Sequence, residues 1–156
     1  MNRRMLLAAC AALPVAALSA TAWPSLALAK KPSVYTGIIS GVGAGGYDVV
    51  SYFKDGAPKK GSAEYAASYG GAKWYFSSAE NMKTFQASPG KYAPAYGGYC
   101  AYAVANGVTA AGNPRLWKIV GGRLYLNLNA AAQSRWKADI PGNISSANAN
   151  WPTVLN

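Results

Sequence analysis

Between residues 47 and 151 the spacing of apolar positions changes several times, and each change marks an element. Tyr47-Asp48-Val49-Val50-Ser51-Tyr52-Phe53 is dense in β-branched and aromatic residues and predicts a strand. Lys54-Asp55-Gly56 turns the chain after it. A second strand is expected over residues 61–69, and Gly70-Gly71 gives a hairpin turn into Lys73-Trp74-Tyr75-Phe76. Ser77 and Glu80 stand three apart, the spacing of a capping box with Ser77 at the N-cap. The helix that follows runs to about Ala87, with Met82 and Phe85 inward, and Ser88-Pro89-Gly90 stops it.

Tyr96 to Ala105 is apolar and small-chained, which predicts a buried helix. Trp117-Lys118-Ile119-Val120 and Arg123-Leu124-Tyr125-Leu126 flank Gly121-Gly122 and give the strongest hairpin signal of the chain. From Ala130 the pattern is helical, with Trp136 and Ile140 four apart on one face. Pro141 suits the first turn of a new helix, which ends before Trp151-Pro152. No internal repeat is visible. Hairpins mixed with helices predict an α+β fold, a small antiparallel sheet with hairpins packed against several short helices.

The N-terminal pattern is of another kind. Met1-Asn2-Arg3-Arg4 is cationic, Met5 to Leu28 carries no charge, and Ala27-Leu28-Ala29 offers the small-x-small site that signal peptidase accepts. Residues 1–29 are therefore expected to be a cleaved signal peptide, which makes the product exported, periplasmic or secreted, with no transmembrane segment after cleavage. Pro14 and Pro24 interrupt the uncharged run and argue against a membrane span. The paired arginines admit the twin-arginine route beside the general secretory one. Cys10, in Leu7-Ala8-Ala9-Cys10, follows too short an apolar run for a lipoprotein anchor and is lost with the signal. Residues 30–46 then form a lead-in, and residues 47–156 the domain.

Without its first 29 residues the chain carries 13 Lys and Arg against five acids, a net charge of +8. Its basic residues are scattered singly or in pairs. That describes a solvated basic surface, and nucleic acid is not an expected partner of an exported domain. Export leaves Cys100 alone, so no intrachain disulfide can form and the domain must hold together by packing. The material for a core is there, since ten of eleven tyrosines lie between Tyr47 and Trp151.

The chain has no histidine, which excludes a Ser-His-Asp triad, a Cys-His pair and a His-ligated metal site. CxxC, P-loop and dinucleotide-binding glycine motifs are missing too. Asp48, Asp55, Glu64, Glu80 and Asp139 are the only carboxylates, and no two are paired along the sequence for acid/base work. Cys100, within Tyr96-Gly97-Gly98-Tyr99-Cys100-Ala101, is either a buried small hydrophobe, a soft-metal ligand or a reactive thiol. Asp48 is a strand or turn acceptor, or a polar group at a pocket.

Several segments together resemble a family, the exported bacterial proteins that contain a YHS domain. They are Gly45 to Phe53, Gly71 to Asn81, Lys91-Tyr92-Ala93-Pro94 through Ala101, Gly122 to Asn127, Arg135 to Asn143, and Asn150-Trp151-Pro152. The resemblance implies a YHS-like fold. Wider YHS and related domains hold transition metals through cysteines, in an upstream Asp-Pro-x-Cys and a Phe-Cys-Ser-x-x-Cys that joins sheet to helix. Here Ser51, Ser77 and Asn81 stand in those cysteine places. A thiolate cage does not carry over to this chain.

These readings converge on a periplasmic, non-catalytic binding protein. Its ligand is expected to be a small molecule or a transition metal such as copper or zinc, near Cys100, Asp48, Tyr47, Tyr99 and Tyr96, with Cys100 the metal candidate. A redox or catalytic thiol protein using Cys100 is one alternative. A structural or interaction module of the cell envelope is the other.

Overall fold

A computed structural model of the protein describes residues 29–156. All but the last residue of the expected signal peptide lies outside the described residues. The strands are β1 (Tyr47–Asp48), β2 (Lys59–Lys60), β3 (Ser62–Tyr69), β4 (Ala72–Phe76), β5 (Asn113–Val120) and β6 (Arg123–Asn127). The helices are α1 (Ser51–Lys54), α2 (Ala79–Ala87), α3 (Pro89–Tyr92), α4 (Ala101–Ala105), α5 (Ala130–Ala138) and α6 (Ile140–Asn150). The strands pair only as neighbours, in three two-stranded antiparallel sheets. The fold is α+β, with three small sheets in place of the single one expected.

Both hairpins form where the glycine pairs place them, at Gly70-Gly71 and Gly121-Gly122. The first expected strand is shorter than its β-branched run. It stops after Asp48, because the Asp48 carboxylate accepts the N–H groups of Val50 and Ser51 and turns the chain into α1. The N-cap of α2 is Ser78, not Ser77: the Ser78 hydroxyl accepts from Asn81 N. Glu80 makes no capping box and pairs with Lys54 at 2.6 Å. The helix expected over 96–105 is interrupted. A tight turn, Ala95–Gly98, precedes α4, because Tyr96 and Gly97 adopt positive φ. Trp136 and Ile140 do not share one helix, since Asp139 ends α5 and caps α6 through Gly142 N. Both side chains still meet in one core.

The element order occurs twice, contrary to the expectation of no repeat. Each copy opens on a turn with left-handed residues, Ala44 and Gly45 (φ 48° and 58°) in one, Tyr96 and Gly97 (φ 55° and 60°) in the other. A tyrosine then bridges to a later segment, Tyr47 to Lys60 and Tyr99 to Ala111. A short helix follows, α1 or α4. Next comes a hairpin of an eight-residue and a five-residue strand, with the same register shift in each: between Ser62 and Ala66, and between Asn113 and Trp117. A nine-residue helix capped by Ser78 or Asn129 packs an aromatic residue on the hairpin. The ring pairs are Trp74–Phe85 at 5.6 Å and Tyr125–Trp136 at 5.3 Å, both inclined at 36°. Each copy closes with a proline-started helix, α3 or α6.

Each copy also has its own core. Val49, Val50, Tyr52, Trp74, Phe76 and Phe85 centre the first; Tyr96, Tyr99, Val104, Tyr125, Trp136 and Leu155 centre the second. Each large side chain buried this way contributes about 1.5–3 kcal/mol, which is how the described residues hold together with no disulfide among them. The lead-in is not a separate tail. Residues 31–35 form a strap over the second copy: Lys31 N donates to the Leu155 carbonyl and Tyr35 N to the Gly97 carbonyl. Gly97 must be glycine, because a Cβ there would overlap the Ser33 carbonyl and the φ is left-handed.

Candidate functional site

The first copy carries a buried polar node. Asp48 is fully enclosed at the end of β1. Its Oδ1 accepts from Val50 N at 2.9 Å and Ser51 N at 3.3 Å. Its Oδ2 accepts from Ser77 N at 2.9 Å, Ser77 Oγ at 2.7 Å and Asn81 Nδ2 at 2.7 Å. The Ser51 hydroxyl lies 2.7 Å from the Asp48 carbonyl and 2.9 Å from the Ala57 carbonyl, and accepts from Lys59 N. The three positions that would carry thiols in a metal-binding relative thus gather around one carboxylate. Five donors occupy that carboxylate, and the remaining groups are hydroxyls and an amide whose N–H points at it. This donor set does not fit a soft transition metal, which asks for thiolates or imidazoles. The node instead ties β1, α1, the end of β4 and α2 together.

The second copy places Cys100 where the first has Asp48, directly after the bridging tyrosine. Cys100 is 1% exposed. Its Sγ–H faces Asn127 Oδ1 at 3.7 Å, and that oxygen also accepts from Tyr102 N. Leu128 and Ala132 fill the places of Ser77 and Asn81, so nothing rebuilds the ring of donors. Asn127 Nδ2 and Trp136 Nε1 are buried without partners. Among the described residues no three of His, Cys, Asp and Glu come together. One thiol beside one amide oxygen does not fit copper or zinc either.

The five candidate residues do not share a pocket. Asp48 and Cys100 are internal groups of two different copies. The three tyrosines line three separate clefts. Tyr99 faces a cleft of 460 Å³ with Tyr35 and Lys31, its hydroxyl donating to the Pro32 carbonyl. Tyr47 faces one of 360 Å³ with Ile38 and Arg115. Tyr96 faces another of 360 Å³, between the two copies.

This last cleft differs from the others in its walls and its charge. Tyr69, Gly70 and Trp74 come from the first hairpin, and Tyr96, Arg123 and Trp151 from the second copy, with Ser33 and Val34 of the strap alongside. Tyr96 is held there in a left-handed conformation that costs a bulky residue about 1–2 kcal/mol. Its hydroxyl is bonded to Asn148 Oδ1 at 2.9 Å. Burial pushes its phenol pKa up to about 12, with the Tyr125 phenol adding to the rise and the Arg123 charge opposing it. In the neighbouring clefts the cations have partners: Lys31 Nζ donates to Thr109 and Arg115 Nε to the Tyr47 hydroxyl. Arg123 has no ion pair and no side-chain hydrogen bond among the described residues.

The candidate list from the sequence lacked Arg123 and Trp151. The signal that leads to them is the recurrence of Gly-Gly-Tyr, at Gly45-Gly46-Tyr47 and Gly97-Gly98-Tyr99. It marks two copies, and so a seam between them. Residues 50–96 match the family model of the YHS domain, which covers most of the first copy and stops at the start of the second. No curated protein and no solved structure matches the chain.

Proposed function

We propose, from the match of residues 50–96 to the YHS domain and from the geometry above, that this is a non-catalytic binding protein that takes a small organic molecule in the cleft between its two copies. The observation that carries the reading is the cleft's construction. Aromatic side chains from both copies converge on one concavity of 360 Å³, within the size range of small-ligand sites. The groups that would serve metal or thiol chemistry are turned to internal duty. Asp48 holds four elements together, and Cys100 is enclosed against Asn127. The signal-like residues 1–29 support a place outside the cytoplasm, where a small soluble binder meets its ligand directly.

A fragment screen followed by two-dimensional NMR tests this. Binders should shift the indole N–H signals of Trp74 and Trp151, which line the cleft, and leave the Trp136 indole in the second core unmoved. If no fragment moves the Trp74 and Trp151 signals, or binders act only at the Tyr99 or Tyr47 clefts, the reading is wrong.

A further inference from the structure

We propose that the ligand of the seam cleft is a small carboxylate with a flat, apolar body, bound by Arg123 at its charged end and by the aromatic wall at the other. This inference rests on the binding role argued above and adds the chemical class.

Three observations carry it. First, Arg123 lines the cleft and its guanidinium is unpaired among the described residues. It stands at the start of β6, directly after the Gly121-Gly122 turn, so the short turn fixes its backbone. Second, no internal anion competes for it. Asp48 is enclosed in its node, Glu80 and Asp55 pair with Lys54 and Lys59, and Asp139 caps α6. Glu64, the remaining acid, lies on β3 and does not line the cleft. A planar guanidinium with free N–H groups matches a carboxylate in two parallel hydrogen bonds. Third, four aromatic side chains, Tyr69, Trp74, Tyr96 and Trp151, are the large groups of the wall, set among small residues such as Gly70, Ala93 and Pro94. Of the four, Tyr69 is 39% exposed, while Trp74 and Tyr96 are buried. The Trp74 indole N–H is spent on the Tyr69 carbonyl and the Tyr96 hydroxyl on Asn148, so these rings offer faces and edges rather than donors. A flat apolar body suits such a wall.

The test titrates the whole protein with four probes: benzoate, benzamide, indole-3-carboxylate and acetate. Binding is read at the Trp74 and Trp151 indole signals and by calorimetry. Benzoate and indole-3-carboxylate should bind at the cleft at least about tenfold more tightly than benzamide, and acetate should not bind measurably. Arg123→Gln should remove the preference of benzoate over benzamide, and Arg123→Lys should restore only part of it, because the ammonium keeps charge without the fork. Arg123 is an exposed hairpin residue, so both variants should keep the parent's melting temperature, which is checked first. Equal binding of benzoate and benzamide at the cleft, or an unchanged preference in Arg123→Gln, overturns the carboxylate assignment while leaving the binding site standing. Acetate binding as tightly as benzoate overturns the aromatic half of the assignment. If no probe and no fragment moves the two indole signals, the site itself is refuted.

Discussion

Replacing Asp48 by alanine tests whether the first copy's node is held by a carboxylate rather than kept for a ligand. The substitution removes the acceptor of five hydrogen bonds at an enclosed position. The Ser77 hydroxyl can turn to another partner, and Ser77 is exposed enough for water to reach its N–H. Val50 N and Ser51 N cannot be rescued in this way, since both residues are fully buried, whereas Asn81 Nδ2 keeps Ser77 Oγ within reach at 3.4 Å. A buried donor left without a partner costs about 1–3 kcal/mol, so the two together give a loss of about 2–6 kcal/mol. That lowers the melting temperature of a domain this size by about 10–20 °C. Asp48→Asn is the sharper variant. It keeps the shape but turns one acceptor into a donor, and whichever way the amide faces it meets either Val50 N and Ser51 N or Ser77 N and Asn81 Nδ2. Its loss should be at least about 1 kcal/mol, and Ser77→Ala should cost less in the Asp48→Asn background than in the parent. Urea unfolding followed by circular dichroism gives all the numbers. If Asp48→Asn is as stable as the parent, or if Asp48→Ala loses less than about 1 kcal/mol, the carboxylate is not the organiser of the node.

Two further expectations concern other groups. Cys100 is 1% exposed, so a thiol reagent should modify it in denaturant and leave the native protein essentially unlabelled; native labelling at the rate of a free cysteine would contradict its enclosure and reopen the reactive-thiol reading. Burial raises the phenol pKa of Tyr52, and that of Tyr96 to about 12 against an ordinary 10.0. The unfolded chain therefore loses these protons first, and stability present below pH 10 should fall as pH rises through 10 toward 12. Tyrosinate absorbance and circular dichroism followed together should show the last phenols ionising only as the fold is lost. Titration of all eleven tyrosines near their ordinary pKa with the fold intact would refute the burial argument.

The elements that sequence reasoning placed well are those set by local chemistry. Gly70-Gly71 and Gly121-Gly122 each force a turn with positive φ, and both hairpins formed there. Pro141 starts α6, and Trp151 lies just past its end. The misplacements are competitions settled at long range. Val49 and Val50 favour a strand, but Asp48 captures the following N–H groups while held from the far side by Ser77 and Asn81. Ser77 looks like a cap three residues before Glu80, yet its hydroxyl is drawn to Asp48, and Ser78 takes the cap. The repeat escaped notice because the side chains at equivalent places differ so much: Asp48 against Cys100, Phe76 against Asn127, Ser77 against Leu128. Only the backbone punctuation, Gly-Gly-Tyr and the glycine turns, survives in both copies. The seam cleft could not be read before the copies were recognised, because neither copy contains it.

The strand β6 belongs by sequence to the second copy, but its residues serve both. Leu124 and Leu126 lie in the first core, while Tyr125 points into the second. A strand presents alternate side chains to opposite faces, so a single five-residue segment is the common wall of two hydrophobic interiors. It acts as a clutch: pulling β6 away to open one core strips the other at the same moment. A molecule built from two nearly self-sufficient halves is thereby expected to melt in one step, and a ligand seated beside Arg123, at the head of that strand, would brace both halves at once.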